Sequence, residues 1–233
     1  MSTNDKRLTA PASDGSSPSR GASSAEDGFD VLYADIARGL VHQTYLLTGQ
    51  RRLAFESVEW AFHHAWEHWP EVAADPDPVV WLRTAAYDYA LSPWHRLRPS
   101  RKNPDLPVTD ATHRALLDLA PPHRRALLLC DGLGFSLDHA AREMQSSTPA
   151  ATSRLLNART HIAQRLPGPD DPSAVQQRLH ALTDAVSIAT VPHARSVRSS
   201  SEERTRLQTR TVFAALGTLL FTIAVAMILT PGH

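Results

Sequence analysis

From Phe29 onward, apolar side chains return every three or four residues, the spacing of one face of a helix. Phe29, Leu32, Tyr33, Ile36, Leu40, Val41, Tyr45 and Leu47 make the first such series, and Thr48, Gly49 and Gln50 end it. A second series predicts a helix over 53–69, with Val58, Phe62, Ala65, Trp66 and Trp69 on one face. Pro70, Pro76 and Pro78 predict a break after it, because proline removes a donor and crowds the preceding turn. A third helix is expected over 79–91, carrying Val80, Trp81, Ala85 and Leu91, and Pro93 ends or kinks it. Helical spacing resumes near His113 and runs to Leu166 as four helices, with breaks at Gly132, Gly134 and 146–149. A short helix is expected over 174–186. Nothing alternates as a strand would, and no segment repeats. The fold class expected is all-α: two small helical modules and one C-terminal transmembrane helix.

The two ends of the chain differ from this middle. Residues 1–27 hold almost no large apolar side chains and cannot offset the entropy of ordering, so a disordered tail is expected. Residues 211–230 read TVFAALGTLLFTIAVAMILT, with no charged side chain after Arg210. As a helix this stretch covers about 30 Å, the thickness of a bilayer's hydrocarbon core. It is apolar all round, and Thr218 and Thr222 can return their hydroxyls to the helix's own carbonyls. Arg195, Arg198, Arg204, Arg206 and Arg210 precede the span and only Pro231, Gly232 and His233 follow it. The expected location is the cytoplasmic membrane, single-pass, with the N-terminal body in the cytoplasm. The expected divisions are a tail over 1–27, a first module over 28–98, a linker over 99–111, a second module over 112–167, a juxtamembrane linker over 168–210 and the membrane span.

Charge and chemistry narrow the function. Lys plus Arg and Asp plus Glu each number 24, so any nucleic-acid role rests on local patches. One such patch is Arg96, Arg98, Arg101 and Lys102, beside a proline-rich linker. The single cysteine, Cys130, excludes an internal disulfide and reads as a small buried apolar residue. There is no glycine-rich phosphate loop, nucleophile elbow or carboxylate pair, so neither catalysis nor a cofactor is expected. His64 and His68 lie four residues apart, a spacing that can hold zinc. With no third ligand evident in the pattern, they read as helix-surface histidines and no metal site is expected. Phe62, Trp66, Trp69 and Trp81 read as core rather than as a ligand cage.

A helix-turn-helix pattern is the strongest chemical signal. Residues 136–144 form a short helix, 145–148 a turn, and Pro149 sits in the first turn of a second helix, where its missing N–H costs little. That second helix presents Thr152, Ser153, Arg154, Asn157 and Arg159, side chains suited to base edges and phosphates in a major groove.

On these residues the chain resembles the extracytoplasmic-function (ECF) sigma factors of RNA polymerase. AFESVEWAFHHAW at 54–66 and WLRTAAYD at 81–88 match the family's first-module phrases. LAPPHRRALLLCDGLGFSLDHAA at 119–141 and STPAATSRLLNAR at 147–159 match those of the second, through Arg125, Gly134, Ser136, Ser153, Arg154, Leu155, Ala158 and Arg159. The resemblance covers about 29–166. It implies that 54–69 docks on core RNA polymerase, that 81–98 meets the −10 element of promoter DNA, and that the helix carrying Arg154 enters the major groove at the −35 element. The docking face is expected to be the stripe Glu56, Glu59, Trp60 and His63, whose members lie three and four residues apart. A regulatory partner of the anti-sigma kind is a further expectation. The sequence departs from the family at Asp88, where the family has asparagine, at His139, where it has an acid, and at Gln145, where it has glycine. Two functions follow as expectations: a membrane-tethered sigma factor, or a sigma-like membrane-bound regulator that no longer melts promoters.

Overall fold

The computed structural model describes residues 18–96, 107–166 and 172–185. Among these, every regular element is helical and no strand occurs, in keeping with the all-α expectation. The first half holds α1 (Pro18–Thr48), α2 (Arg51–Glu67), α3 (Trp69–Ala74) and α4 (Pro78–Leu91), followed by a 3-10 turn over Pro93–Arg96. The second half holds α5 (Ala111–Leu117), α6 (Pro121–Leu127), α7 (Leu137–Glu143) and α8 (Thr148–Arg165), and α9 (Pro172–Asp184) follows. A π-turn over Leu128–Gly132 continues α6.

Local chemistry sets these boundaries. Gly49 ends α1 with a φ of +67°, a conformation glycine reaches without a Cβ clash, and its N–H bonds the Tyr45 carbonyl at 2.8 Å. The Asp77 carboxylate accepts from the Val80 N–H at 3.1 Å to cap α4, which opens on Pro78. Asp110 caps α5 in the same way through the His113 N–H at 2.7 Å. Two boundaries differ from the sequence expectation. Helix α1 begins at Pro18, inside the stretch expected to lack order, because it extends upstream from the buried anchor Phe29. Pro70 does not stop the chain but sits in the first turn of α3, where proline is tolerated.

Helix α1 packs along α2 and α4, and α6 packs on α8. Phe29 is the aromatic hub of the first half, with ring centroids 5.8 Å from Phe62, 5.1 Å from Trp66 and 5.4 Å from Trp69. Phe62 is fully buried and Trp66, Trp69 and Trp81 pack against the same cluster, so these aromatics belong to the core. Leu116, Leu127, Leu128, Leu129, Ile162 and Leu179 fill the second half, and Cys130 is buried beside them. A single hydrophobic cluster runs from Phe29 to Leu179 through both halves.

Polar contacts reinforce that junction. The last carbonyls of α1 point at the second half: Leu46 O accepts from His113 Nε2 at 3.1 Å, and Leu47 O accepts from Arg124. Basic side chains suit a helix C-terminus, where unpaired carbonyls concentrate negative charge. Arg124 also donates to Leu119 O at 2.8 Å. His42 Nε2 lies 2.7 Å from Leu182 O and ties α9 to α1. Arg83 of α4 donates to both Glu143 carboxylate oxygens, at 2.8 and 3.0 Å. Arg125 bridges Asp88 and the Glu143 carbonyl.

Among the described residues no helix is long and apolar enough to cross a membrane. The span expected at 211–230 lies outside them, as does most of the 99–111 linker.

Candidate nucleic-acid interface

The helix-turn-helix is built from small capping residues. The Ser136 hydroxyl accepts from the His139 N–H at 3.3 Å and opens α7. The turn closes with the Gln145 N–H on Arg142 O at 3.0 Å and the Ser146 N–H on Ala141 O at 2.9 Å. Gln145 carries this turn at a φ of +49°, the left-handed conformation usually left to glycine. A non-glycine residue holds this conformation at a cost in backbone strain. Ser147 then caps α8 through the Ala150 N–H at 3.4 Å, with Pro149 in the first turn. Thr148 Oγ1 donates to Asp138 Oδ1 at 3.1 Å and fixes α8 against α7.

Helix α8 buries Ala151, Leu155, Ala158 and Ile162 and turns the opposite face outward. Thr152, Ser153 and Asn157 line one shallow depression with Thr148, Pro149 and Leu156. Leu156 is 55% exposed. The Thr152 hydroxyl donates to Thr148 O at 2.8 Å, which leaves its lone pairs to accept. Arg154 is half-buried beside this face. Arg159 is placed differently. It clasps the buried Asp131 of the π-turn, with Nε 2.8 Å and Nη2 2.6 Å from the two carboxylate oxygens. Those bonds hold the guanidinium's pKa above its ordinary value. Arg159 thus ties α8 to the π-turn. Arg96 closes the 3-10 turn after α4, while Arg98, Arg101 and Lys102 lie outside the described residues.

The stripe expected on α2 is divided by its neighbours, because α1 and α4 both pack on that helix and on each other. His63 is buried, with Nε2 3.5 Å from Glu59 Oε1. Glu56 accepts from the Tyr89 hydroxyl of α4 at 2.6 Å. Trp60 is 37% exposed and lies against α4, its ring stacked on Tyr89 at 5.0 Å and on His64 at 5.2 Å. His64 stacks in turn on Trp81 at 5.4 Å. Glu59 and Trp60 therefore remain open to a partner, whereas His63 belongs to the interior.

Burial shifts several groups. Desolvation pushes the His64 pKa down, the nearby His68 adds to that, and Glu67 opposes it. Desolvation also pushes His113 down, against the bond to Leu46 O. It pushes the Cys130 thiol up, aided by the Asp131 carboxylate, so this cysteine is an inert core residue. Tyr33 rises to about 12 through burial and the charge of Glu59.

Sequence reasoning missed the ion pairs Arg83–Glu143 and Arg159–Asp131. One signal was available: Asp131 interrupts the apolar run LLLCDGLG, and a carboxylate in such a run needs a cationic partner. No protein-family model matches the chain, and comparison with curated proteins finds no match.

Proposed function

We propose that the chain is a membrane-tethered initiation factor of the ECF sigma kind, which directs core RNA polymerase to promoter DNA. The observation that carries this reading is the capped helix-turn-helix, with Thr152, Ser153 and Asn157 on the open face of α8 and Arg154 beside them. Short polar side chains around an arginine can read base edges while the helix N-terminus meets phosphate. Glu59 and Trp60 on α2 supply the polymerase contact, with the partly exposed Trp60 ring as its anchor. The 211–230 segment supplies the tether, and a regulatory protein of the anti-sigma kind would control release. In this reading the polymerase performs the chemistry and the chain holds no catalytic group.

A second reading is favoured by one observation. Asp88 stands where the resemblance expects an asparagine that meets melted DNA, and it is ion-paired with Arg125 of the other half. A carboxylate there repels phosphate and lacks the paired donor and acceptor of an amide. The chain would then be a sigma-like membrane-bound interaction protein that no longer melts promoters.

Run-off transcription separates the two. Full-length protein in detergent is mixed with core polymerase and promoter fragments enriched by its own binding. A specific transcript supports the initiation factor; co-purification with polymerase without a transcript supports the second reading; failure of both removes the sigma-like assignment. In cells, the tether predicts that the protein stays in the membrane fraction after carbonate extraction, and that truncation after Arg210 releases it.

A further inference from the structure

The last turn of α2 carries a cluster that neither reading uses. His64, Glu67 and His68 each offer one ligand atom, and these atoms all lie within 4.8 Å of one another. Donors around a zinc-sized ion stand about 2.0–2.1 Å from it, hence about 3.3 Å apart in a tetrahedral shell. Small side-chain rotations close that difference, since none of the three is buried.

The two imidazoles are held for the task by neighbours. His68 Nδ1 lies 2.9 Å from the His64 carbonyl oxygen and donates to it, which leaves the Nε2 lone pair free to bind an ion. A histidine ligand whose other nitrogen bonds a backbone carbonyl has its tautomer and orientation fixed. The His64 ring stacks on Trp60 at 5.2 Å and on Trp81 at 5.4 Å, which holds its plane. The cluster also sits at the C-terminal end of α2, where helix carbonyls favour a cation. Asp75 and Asp77 line the cleft that His64 borders and add to the attraction of cations.

We propose that His64, Glu67 and His68 form a binding site for a divalent transition-metal ion of the zinc class. Two imidazole nitrogens and one carboxylate favour zinc, nickel, cobalt or copper over magnesium or calcium, which prefer all-oxygen shells. The sequence pattern showed two histidines without a third ligand, and Glu67 completes the set through the helical turn. His64 and Glu67 lie in the last turn of α2 and His68 is its C-cap, so remaining positions belong to water and the bound ion staples the end of α2. Because the ion binds the folded helix, it stabilises the native state by mass action.

The test uses untagged full-length protein in detergent, freed of metal by chelation and titrated with zinc chloride by calorimetry. Cobalt is then added for its visible absorption, and copper for quenching of the adjacent tryptophans. The expected result is roughly one zinc per chain with a rise in melting temperature. His68→Ala and the exposed, structurally mild Glu67→Gln are each expected to weaken binding by about tenfold or more. A control variant, His180→Ala, should bind like wild type. Absence of zinc binding by the wild type overturns the proposal. So does equal affinity in wild type and Glu67→Gln together with unchanged cobalt absorption in His68→Ala.

Discussion

Arg83 and Glu143, sixty residues apart, form a two-pronged ion pair in which the arginine side chain is 9% exposed and the carboxylate not at all. The guanidinium also lies 4.6 Å from the centre of the Phe135 ring, so both charge and face are used. Removing one partner leaves a buried charge without its counterion. Arg83→Ala or Glu143→Ala is expected to cost about 3–5 kcal/mol. The double variant Arg83→Met with Glu143→Leu should recover most of that loss, since an apolar pair carries no desolvation penalty. Urea denaturation of the four proteins measures this, and equal losses in the single and double variants would refute it.

The turn before α8 contains a strained residue that can be relieved. A non-glycine residue in the left-handed region costs about 1–2 kcal/mol, whereas glycine's extra freedom in the unfolded chain returns about 0.5–1 kcal/mol of that. Gln145→Gly should therefore raise the melting temperature by about 2 °C. Gln145→Val should lower it, because a β-branched side chain fits φ +49° poorly. Calorimetry of the three proteins decides the sign.

Two arginines on α8 are expected to separate DNA contact from folding. Arg154→Ala should weaken duplex DNA binding by about 1–3 kcal/mol with little change in melting temperature. Arg159→Ala should instead destabilise the fold, because it strands the buried Asp131 carboxylate. Parallel electrophoretic binding and thermal melts test the pair. An Arg159→Ala protein that melts like wild type would show that its ion pair contributes little.

His113 gives a direction of pH dependence. Its folded-state pKa is lowered by burial, although Leu46 O, Asp110 and Tyr45 O oppose the shift and His42 adds to it. The unfolded chain therefore binds more protons between the folded value and about 6.5, the ordinary histidine value. Stability is fully present above about pH 6.5 and falls as pH drops below it. Melting temperatures at about pH 5.5 and about pH 7.5 should differ less in His113→Gln than in wild type. An unchanged difference would assign the pH dependence to other histidines.

Much of the helical framework is readable from the chain itself, because helix formation and capping are local. The apolar series from Phe29 to Leu47 marks the buried side of α1, and Gly49 closes it. Asp110, Ser136 and Ser147 cap the helices they precede. What escapes a linear reading is tertiary. Pro70 looks like a stop, yet the chain restarts a helix around it, because proline's missing donor is harmless in a first turn. His63 shares a stripe with Glu59, but which side of α2 meets α1 is decided by packing rather than period. Arg159 looks like a groove-facing base until Asp131, 28 positions earlier, is brought beneath it. The basic cluster at Arg98, Arg101 and Lys102 and the 211–230 segment lie outside the described residues, so those expectations stand on sequence alone.

The way α1 ends has a consequence for synthesis of the chain on the ribosome. The carbonyls of Leu46 and Leu47 find their donors on His113 and Arg124, which are translated 67 and 77 positions later. A nascent chain that has emerged only through α4 carries those carbonyls open to water and Arg83 without its carboxylate. Water serves both the helix end and the Arg83 guanidinium, whose partners Glu143 and Phe135 belong to the second half. A pause in translation between the halves would therefore hold a first bundle whose α1 end and Arg83 face water until the second half docks on them.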